Sequence, residues 1–394
     1  MLYSRNLYIE QCSKHLFDAK GTYEPICDSK ENILHKVVNK LKSLLSTYCN
    51  ECSATQQLAK KLTEWAEDSL KKGTLCKFYV IWKLHKPANA QGVRSRPISP
   101  NIGYPTGQIS NFLHSQLADA VFSHPHVLQD SLSLIRLLEN MNLSPDQEIF
   151  LTSADITALY PSINIEDGLE AMRWFMKEHT IIPENLQKLY LRLARFILEN
   201  NYVECRGLAE GRFFLQKIGT AMGTSFSVTY ATIFMIWLET PIIKEFQQHI
   251  LLYKRFLDDV FVTWSGSIQE LCHFRAKFGA ANPSIKLEWQ GTQLEADATD
   301  PAKFDRYKHR QVNFLDLDVR IVYSIERANF EFGVPQTWEC VLILALRFLS
   351  CKACFSGVAE SRSSQIANAL ELPEDLDRGM SQILRPPAEK RLPC

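Results

Sequence analysis

The chain has 394 residues, 46% of them hydrophobic and 22% charged, which suits an ordinary globular protein with a sizeable core and two or three domains. Lys plus Arg and Asp plus Glu number 44 each, so net charge says nothing about partners and local charge has to. Eleven cysteines, an odd number without a compact framework, exclude a disulfide scaffold and fit free thiols in a reducing compartment.

The N-terminus, Met1-Leu2-Tyr3-Ser4-Arg5, lacks the apolar core of a signal peptide. No apolar run approaches the ~18–20 residues of a membrane span, so no membrane partner is expected. Cys49-x-x-Cys52 and Cys351-x-x-Cys354 are each half a zinc site at best, because neither has a second pair at ribbon spacing. Residues 1–75 read as a polar helical region, with Ile33, Val37, Val38, Leu41, Leu44 and Leu45 at helical spacing.

Between Asp68 and Asp119 there is no acidic residue, while Lys71, Lys72, Lys77, Lys83, Lys86, Arg94 and Arg96 fall inside the interval. Cations without local counter-charges form a candidate surface for phosphates, with a solvated basic loop as the competing account. Phe78-Tyr79-Val80-Ile81-Trp82 reads as a strand delivering Lys83 and Lys86, and Arg96-Pro97-Ile98 begins a second extended piece. Such a hairpin suits a triphosphate, with Arg as a fork and Lys as a point charge.

Residues 107–145 read as mostly helical. Next, Glu148-Ile149-Phe150-Leu151-Thr152-Ser153-Ala154-Asp155-Ile156 is a strand whose apolar run halts at a carboxylate. An Asp closing a buried strand is costly unless paired or metal-bound, although it also serves as a cap. Amphipathic helices follow around Leu169–Met176 and over 186–198.

Gln216-Lys217-Ile218-Gly219-Thr220-Ala221-Met222-Gly223 is a loop whose glycines would let the backbone approach a flat or phosphorylated ligand. A turn before a core helix is the simpler alternative. The segment 226–238 reads as a buried helix that stops at Thr240-Pro241.

Arg255-Phe256-Leu257-Asp258-Asp259 sits between two runs rich in β-branched and aromatic residues, a hairpin with paired aspartates at its turn. Neighbouring carboxylates repel, and a divalent cation would neutralise them; an ordinary Asp-containing turn is the competing account. Residues 268–278 read as a helix, 285–289 as a strand, 291–305 as a polar loop and 312–319 as one more strand, with no internal repeat.

Asp155 at a strand end together with Asp258 and Asp259 at a turn is what a two-metal phosphoryl-transfer site needs. A nuclease could use the same three. The basic hairpin and the glycine loop favour a polymerase, which has to hold a triphosphate and a template base.

The ordered stretches 78–87 with Arg96-Pro97-Ile98, Ala154-Asp155-Ile156-Thr157-Ala158-Leu159-Tyr160-Pro161-Ser162-Ile163, Gly219-Thr220-Ala221-Met222-Gly223-Thr224, Arg255-Phe256-Leu257-Asp258-Asp259 and Asn313-Phe314-Leu315-Asp316-Leu317 carry a resemblance. Together they resemble the reverse transcriptase domain of Penelope-like retroelements, which are related to telomerase. The resemblance implies an α+β right-hand polymerase, with fingers and a ferredoxin-like palm whose antiparallel sheet has helices on one face. It implies fingers over 76–147 and a palm over 148–333, following the helical N-terminal region over 1–75; the remainder, 334–394, is atypical and reads from its own residues as a disordered tail.

By the same resemblance Asp155, Asp258 and Asp259 are the catalytic carboxylates. With the Ile156 carbonyl they hold two Mg²⁺ ions, for which Mn²⁺ can substitute. Lys83 or Lys86, with Arg96, grips the triphosphate, while Gln216, Gly219 and Gly223 line the nucleotide and template pocket. Tyr160 is the aromatic beneath the sugar that excludes a 2′-hydroxyl. The implied partners are template RNA, a DNA primer and dNTPs, with no protein partner inferred and a nuclear, intracellular site despite the lack of a dense Lys/Arg import cluster.

Relatives continue into a thumb with a Lys-Pro-x-Asn-x-Tyr-like stretch and often a GIY-YIG endonuclease, and 334–394 matches neither. The expectation is a truncated, frame-shifted or mis-spliced element copy with complete fingers and palm and no primer-holding part. An inactive remnant that only binds nucleic acid is the alternative.

Overall fold

The computed structural model describes residues 4–46, 53–83, 94–141, 143, 149–208, 212–290, 311–326 and 339–348. The described elements belong to one compact unit, Met1–Arg347, apart from Phe348, which falls in a second. Lys86, the two Cys-x-x-Cys pairs, the polar loop over 291–305 and the segment 349–394 lie outside the described residues.

The N-terminal region comprises helix α1 (Arg5–Leu16), strand β1 (Tyr23–Ile26), α2 (Lys30–Ser46) and α3 (Ser53–Lys72). In α2 the periodic residues Ile33, Val37, Val38, Leu41 and Leu45 are all buried. The short β2 (Cys76–Lys77) leads to β3 (Tyr79–Trp82) and β4 (Ser95–Ile98), which pair antiparallel as a ribbon. Helices α4 (Gly107–Phe122) and α5 (Ser131–Glu139) precede β5 (Ile149–Thr157), the short α6 (Leu159–Ser162), α7 (Ile165–His179) and α8 (Glu184–Glu199).

Strands β6 (Tyr202–Glu204) and β7 (Phe213–Gln216) lead to the central helix α9 (Ser225–Glu245). Then come β8 (Ile250–Phe256), β9 (Asp259–Ser265), α10 (Ile268–Ala280), β10 (Lys286–Trp289), β11 (Gln311–Phe314), β12 (Leu317–Glu326) and β13 (Glu339–Phe348). Side-chain caps set helix starts along the chain, among them Ser4 for α1, Asp130 for α5, Asn164 for α7, Thr224 for α9, and Ser267 with Glu270 as a capping box for α10.

The organising sheet has strand order β10-β5-β9-β8, antiparallel throughout. With helices between β5 and β8 and α10 between β9 and β10, this is the β-α-β-β-α-β plan of a split βαβ unit. Phe150, Ala154, Ile156, Val260, Val262 and Trp264 point to one face, into a core shared with α7, α9 and α10. Ile149, Leu151 and Phe261 point to the other face, packing on Val312, Phe314, Leu317 and Val319 of the β11–β12 hairpin and on Leu134 and Leu138 of α5. Fully burying a side chain such as Phe261 is worth roughly 1.5–3 kcal/mol, so both faces hold the sheet in place.

A second sheet has the order β1-β7-β6-β2. It draws strands from the N-terminal region, from the start of the basic segment and from the middle of the chain. Helix α1 packs on the ribbon, where His15 Nε2 lies 2.9 Å from Ser95 Oγ and Ser95 Oγ donates to Gln11 Oε1 at 3.3 Å.

Four sequence expectations change. The segment 312–319 is a hairpin, because Leu315 adopts φ +53° and turns the chain between β11 and β12. Helix α9 runs through Pro241 to Glu245; Pro241 cannot donate to the carbonyl four residues back, while Thr240 Oγ1 donates to Ile236 O at 2.6 Å. By length and hydropathy α9 is also sufficient to cross a membrane, yet most of it is buried as the central core helix. Residues 339–348, placed in a disordered tail by the sequence, form β13 beside β12 in a three-stranded sheet.

Candidate active site

Strand parity places the first two carboxylates. Asp155 follows Ile149, Leu151 and Ser153 on the face that packs on the β11–β12 hairpin and α5, and Asp259 precedes Phe261 on the same face. In the ladder Asp155 pairs directly with Asp259, so both carboxylates project from one face of neighbouring strands. Glu288 of β10 pairs with Asp155 from the other side. The three form an acidic row across three strands, of which the sequence reading found two; Glu288 looks like any exposed strand residue until the register is known.

Asp258 occupies the two-residue turn between β8 and β9, and its carbonyl accepts the Ile156 amide at 2.8 Å. The Ile156 side chain is buried on the helix side and offers no ligand. Burial raises the Asp258 carboxyl above the ordinary range and the Asp155 charge adds to this, against its own backbone amide and the positive fields of Arg96 and Lys83.

Leu257 carries φ +52°, and Asp258 is not among the residues with positive φ. That pattern matches a type II′ hairpin turn, whose first central position ordinarily takes glycine. Beneath the turn lies Arg255, fully buried. Its Nη1 donates to Leu257 O at 3.0 Å, its Nε to Glu239 Oε2 at 2.8 Å, and its Nη2 to Glu239 Oε1 and Thr232 O at 3.3 Å. Tyr253 hydroxyl donates to the same Glu239 at 2.9 Å. Burial alone would raise the Glu239 carboxyl, but the Arg255 charge beside it prevails and holds it below the ordinary value. Neither residue stands out in the sequence: the parity of β8 turns Arg255 inward beside Tyr253, but nothing local pairs it with Glu239.

The basic ribbon stands near this turn. Arg96 of β4 lies opposite Ile81, the Lys83 amide extends the ribbon by donating to Arg94 O at 2.8 Å, and both cations act on Asp258. Tyr160, in α6, is half-buried, and its hydroxyl is pushed up to about 12 by burial and then by the Asp258 charge. The structure therefore brings Asp155, Asp258, Asp259, Ile156, Tyr160, Lys83 and Arg96 into one neighbourhood.

The glycine loop differs from its sequence reading. A Cβ on Gly219, at φ +75°, would lie 2.4 Å from Tyr160 O and 2.5 Å from Pro161 Cα, and the Thr220 amide donates to Tyr160 O at 2.9 Å. A Cβ on Gly223, at φ +108°, would lie 3.2 Å from Ile98 Cγ2, and the Ser99 amide donates to Met222 O at 2.8 Å. What crowds these glycines is the chain itself: the loop straps the Tyr160 turn to the end of β4. Gln216 is buried beneath it, accepting from Asn201 Nδ2 at 2.7 Å and donating to Ile218 O at 2.9 Å. Its amide shapes the loop from below.

Among the described residues no group of three His, Cys, Asp or Glu side chains is gathered closely enough to hold a metal alone. The carboxylates nevertheless fit Mg²⁺ by donor type and charge. Mg²⁺ takes hard oxygens, needs only one or two carboxylates and completes its shell with water and substrate phosphates. Repulsion between Asp155 and Asp258 is what a cation there would relieve.

No protein-family model matches the chain, and no curated protein matches it. Among solved structures it is similar to apo telomerase from Candida tropicalis, at 13% identity and TM-score 0.47, over 81% of this chain and 52% of that one. It is also similar to Candida albicans telomerase bound to a telomeric RNA fragment (12%, TM-score 0.43, 66% and 47%) and to the BmCPV RNA-dependent RNA polymerase (10%, 0.43, 75% and 27%). The chain spans about half the length of these telomerase chains and about a quarter of the viral one.

Proposed function

We propose that the chain is an RNA-directed DNA polymerase of a retroelement, transferring nucleotides from dNTPs to a primer 3′-end on an RNA template. The observation that carries this reading is the cross-strand pairing of Asp155 with Asp259, beside Asp258 and within the fields of Arg96 and Lys83.

In this reading Asp155, Asp258, Asp259 and the Ile156 carbonyl would hold Mg²⁺, which when bound would neutralise charge on the attacking 3′-oxygen and the leaving pyrophosphate. Arg96 grips the triphosphate as a planar fork and Lys83 as a point charge, orienting the α-phosphate toward the carboxylate row. Tyr160 presents its ring beneath the sugar, where a 2′-hydroxyl would collide with it. The glycine loop fixes that ring by holding the Tyr160 carbonyl.

The test is primer extension on an RNA template with Mg²⁺ and dNTPs, using the full chain and the same chain fused to a relative's thumb. Extension that disappears in Asp259→Asn supports the reading. Absence of extension from both proteins, each shown to be folded, overturns it. Salt-sensitive RNA binding without extension would identify a nucleic-acid-binding remnant.

A further inference from the structure

The turn that carries Asp258 and Asp259 is held from two sides. From β5, the Ile156 amide reaches Asp258 O at 2.8 Å. From below, the Arg255 guanidinium reaches Leu257 O at 3.0 Å while bound to α9 through Glu239 and Thr232. We propose that Arg255 is a positioning residue: its guanidinium transmits the position of α9 to the Leu257–Asp258 turn and so sets where the aspartates stand. The proposal deepens the polymerase reading and rests on it for the role of the aspartates.

Three observations support it. First, Leu257 sits at φ +52°, a conformation disfavoured for an L residue with a Cβ, so the turn relaxes unless something holds it. A hydrogen bond from a charged donor is of the strength needed to hold such a residue.

Second, Arg255 sends Nε to Glu239, Nη1 to Leu257 and Nη2 to both Glu239 and Thr232. A planar fork does this; a Lys ammonium, a compact point charge on a flexible stem, cannot reproduce it. Third, the pair is fully buried, with both side chains at 0% exposure. Buried ion pairs contribute little net stability over apolar replacements of similar volume, so stability alone does not account for one directly under this turn.

The surrounding groups converge on the same anchor. The Arg255 amide donates to His126 O at 2.8 Å, His126 Nδ1 lies 3.3 Å from Glu239 Oε1, and Tyr253 donates to Glu239. Glu239 is thus fixed on several sides, and Arg255 connects it to the turn.

The test compares the parent with Arg255→Lys and with the paired change Arg255→Met plus Glu239→Leu, which removes both charges together. Thermal unfolding establishes that each variant is folded. Hydrogen exchange at the Ile156 amide reads the position of the turn without any metal. Paramagnetic titration with Mn²⁺ alone reads the carboxylate site.

The expected result for the paired variant is a folded protein with Ile156 exchange faster, and the Mn²⁺ midpoint higher, by roughly tenfold, the worth of one such hydrogen bond. Unchanged exchange and an unchanged midpoint in a folded paired variant overturn the proposal. If the paired variant does not fold, Arg255→Lys decides by the same two readouts. If the parent binds no Mn²⁺, or Asp259→Asn binds it equally well, the polymerase reading fails, and exchange at Ile156 still decides the role of Arg255.

Discussion

Asp155 and Asp259 stand directly opposite one another in adjacent antiparallel strands, on the same face of the sheet. Like charges in that relationship destabilise a sheet by roughly 0.2–1 kcal/mol, so this chain keeps a pair that weakens its own fold. Asp259→Asn is therefore expected to raise stability by about that amount in metal-free buffer. The same change should remove any stabilisation that Mg²⁺ gives the parent. Thermal melting with and without Mg²⁺ measures both, and a variant less stable than the parent without metal contradicts the argument.

Gly219→Ala is expected to lower stability by roughly 1–3 kcal/mol, because it places a Cβ against backbone at a positive φ. The obstructing atoms are Tyr160 O and Pro161 Cα, so they cannot swing aside as a side-chain tip would. Gly21→Ala is the control, with φ +65° and nothing within 4 Å of its Cβ. Chemical denaturation of the two variants separates crowding from backbone strain; equal losses would remove the crowding account of the loop.

The layout of the four-stranded sheet was expected from the resemblance and not from alternation, because its central strands β5 and β9 are buried on both faces and read as nearly continuous apolar runs. Asp155, Asp258 and Asp259 were legible because carboxylates at strand ends and turns stand out against apolar neighbours. The β11–β12 turn was not legible, since Leu315 occupies a position that glycine would have advertised. Arg255 was not either: its partner Glu239 lies on a different element, and only packing brings the two together. The glycine loop was legible only as a close approach, because spacing does not say whether a bare Cα makes room for a ligand or for the chain's own backbone, and here the chain itself crowds both glycines.

Acid should weaken the fold through a cluster of imidazoles. The His124 ring lies 4.7 Å from His126 and 5.1 Å from His179, centre to centre, near Glu239 and Arg255. Burial, then the neighbouring imidazoles, lowers His124 from 6.5 to about 4. With the folded value depressed, the unfolded chain binds the proton first, so stability falls as pH drops through that window. Discounted for solvent screening, the loss is about 1 kcal/mol. Urea unfolding at several pH values should show a shallower acid loss in His124→Gln than in the parent; parallel curves would refute it.

Tyr160→Ala is expected to relax discrimination against ribonucleotides during primer extension, because it deletes the half-buried ring proposed to lie under the sugar. Tyr160→Phe keeps the ring and should preserve discrimination. Competition between dNTPs and NTPs measures both, and unaltered selectivity in the alanine variant removes Tyr160 from this role.

The sheet β1-β7-β6-β2 has a consequence for synthesis. Tyr23 pairs with Gln216, so an early strand has no partner until the ribosome has passed the middle of the chain. At cellular elongation rates that wait is on the order of ten to forty seconds. Throughout it, Tyr23–Ile26 is an unpaired edge available to other chains. Yield from cells should therefore depend on chaperone supply and growth temperature more steeply than the stability of the finished protein would suggest.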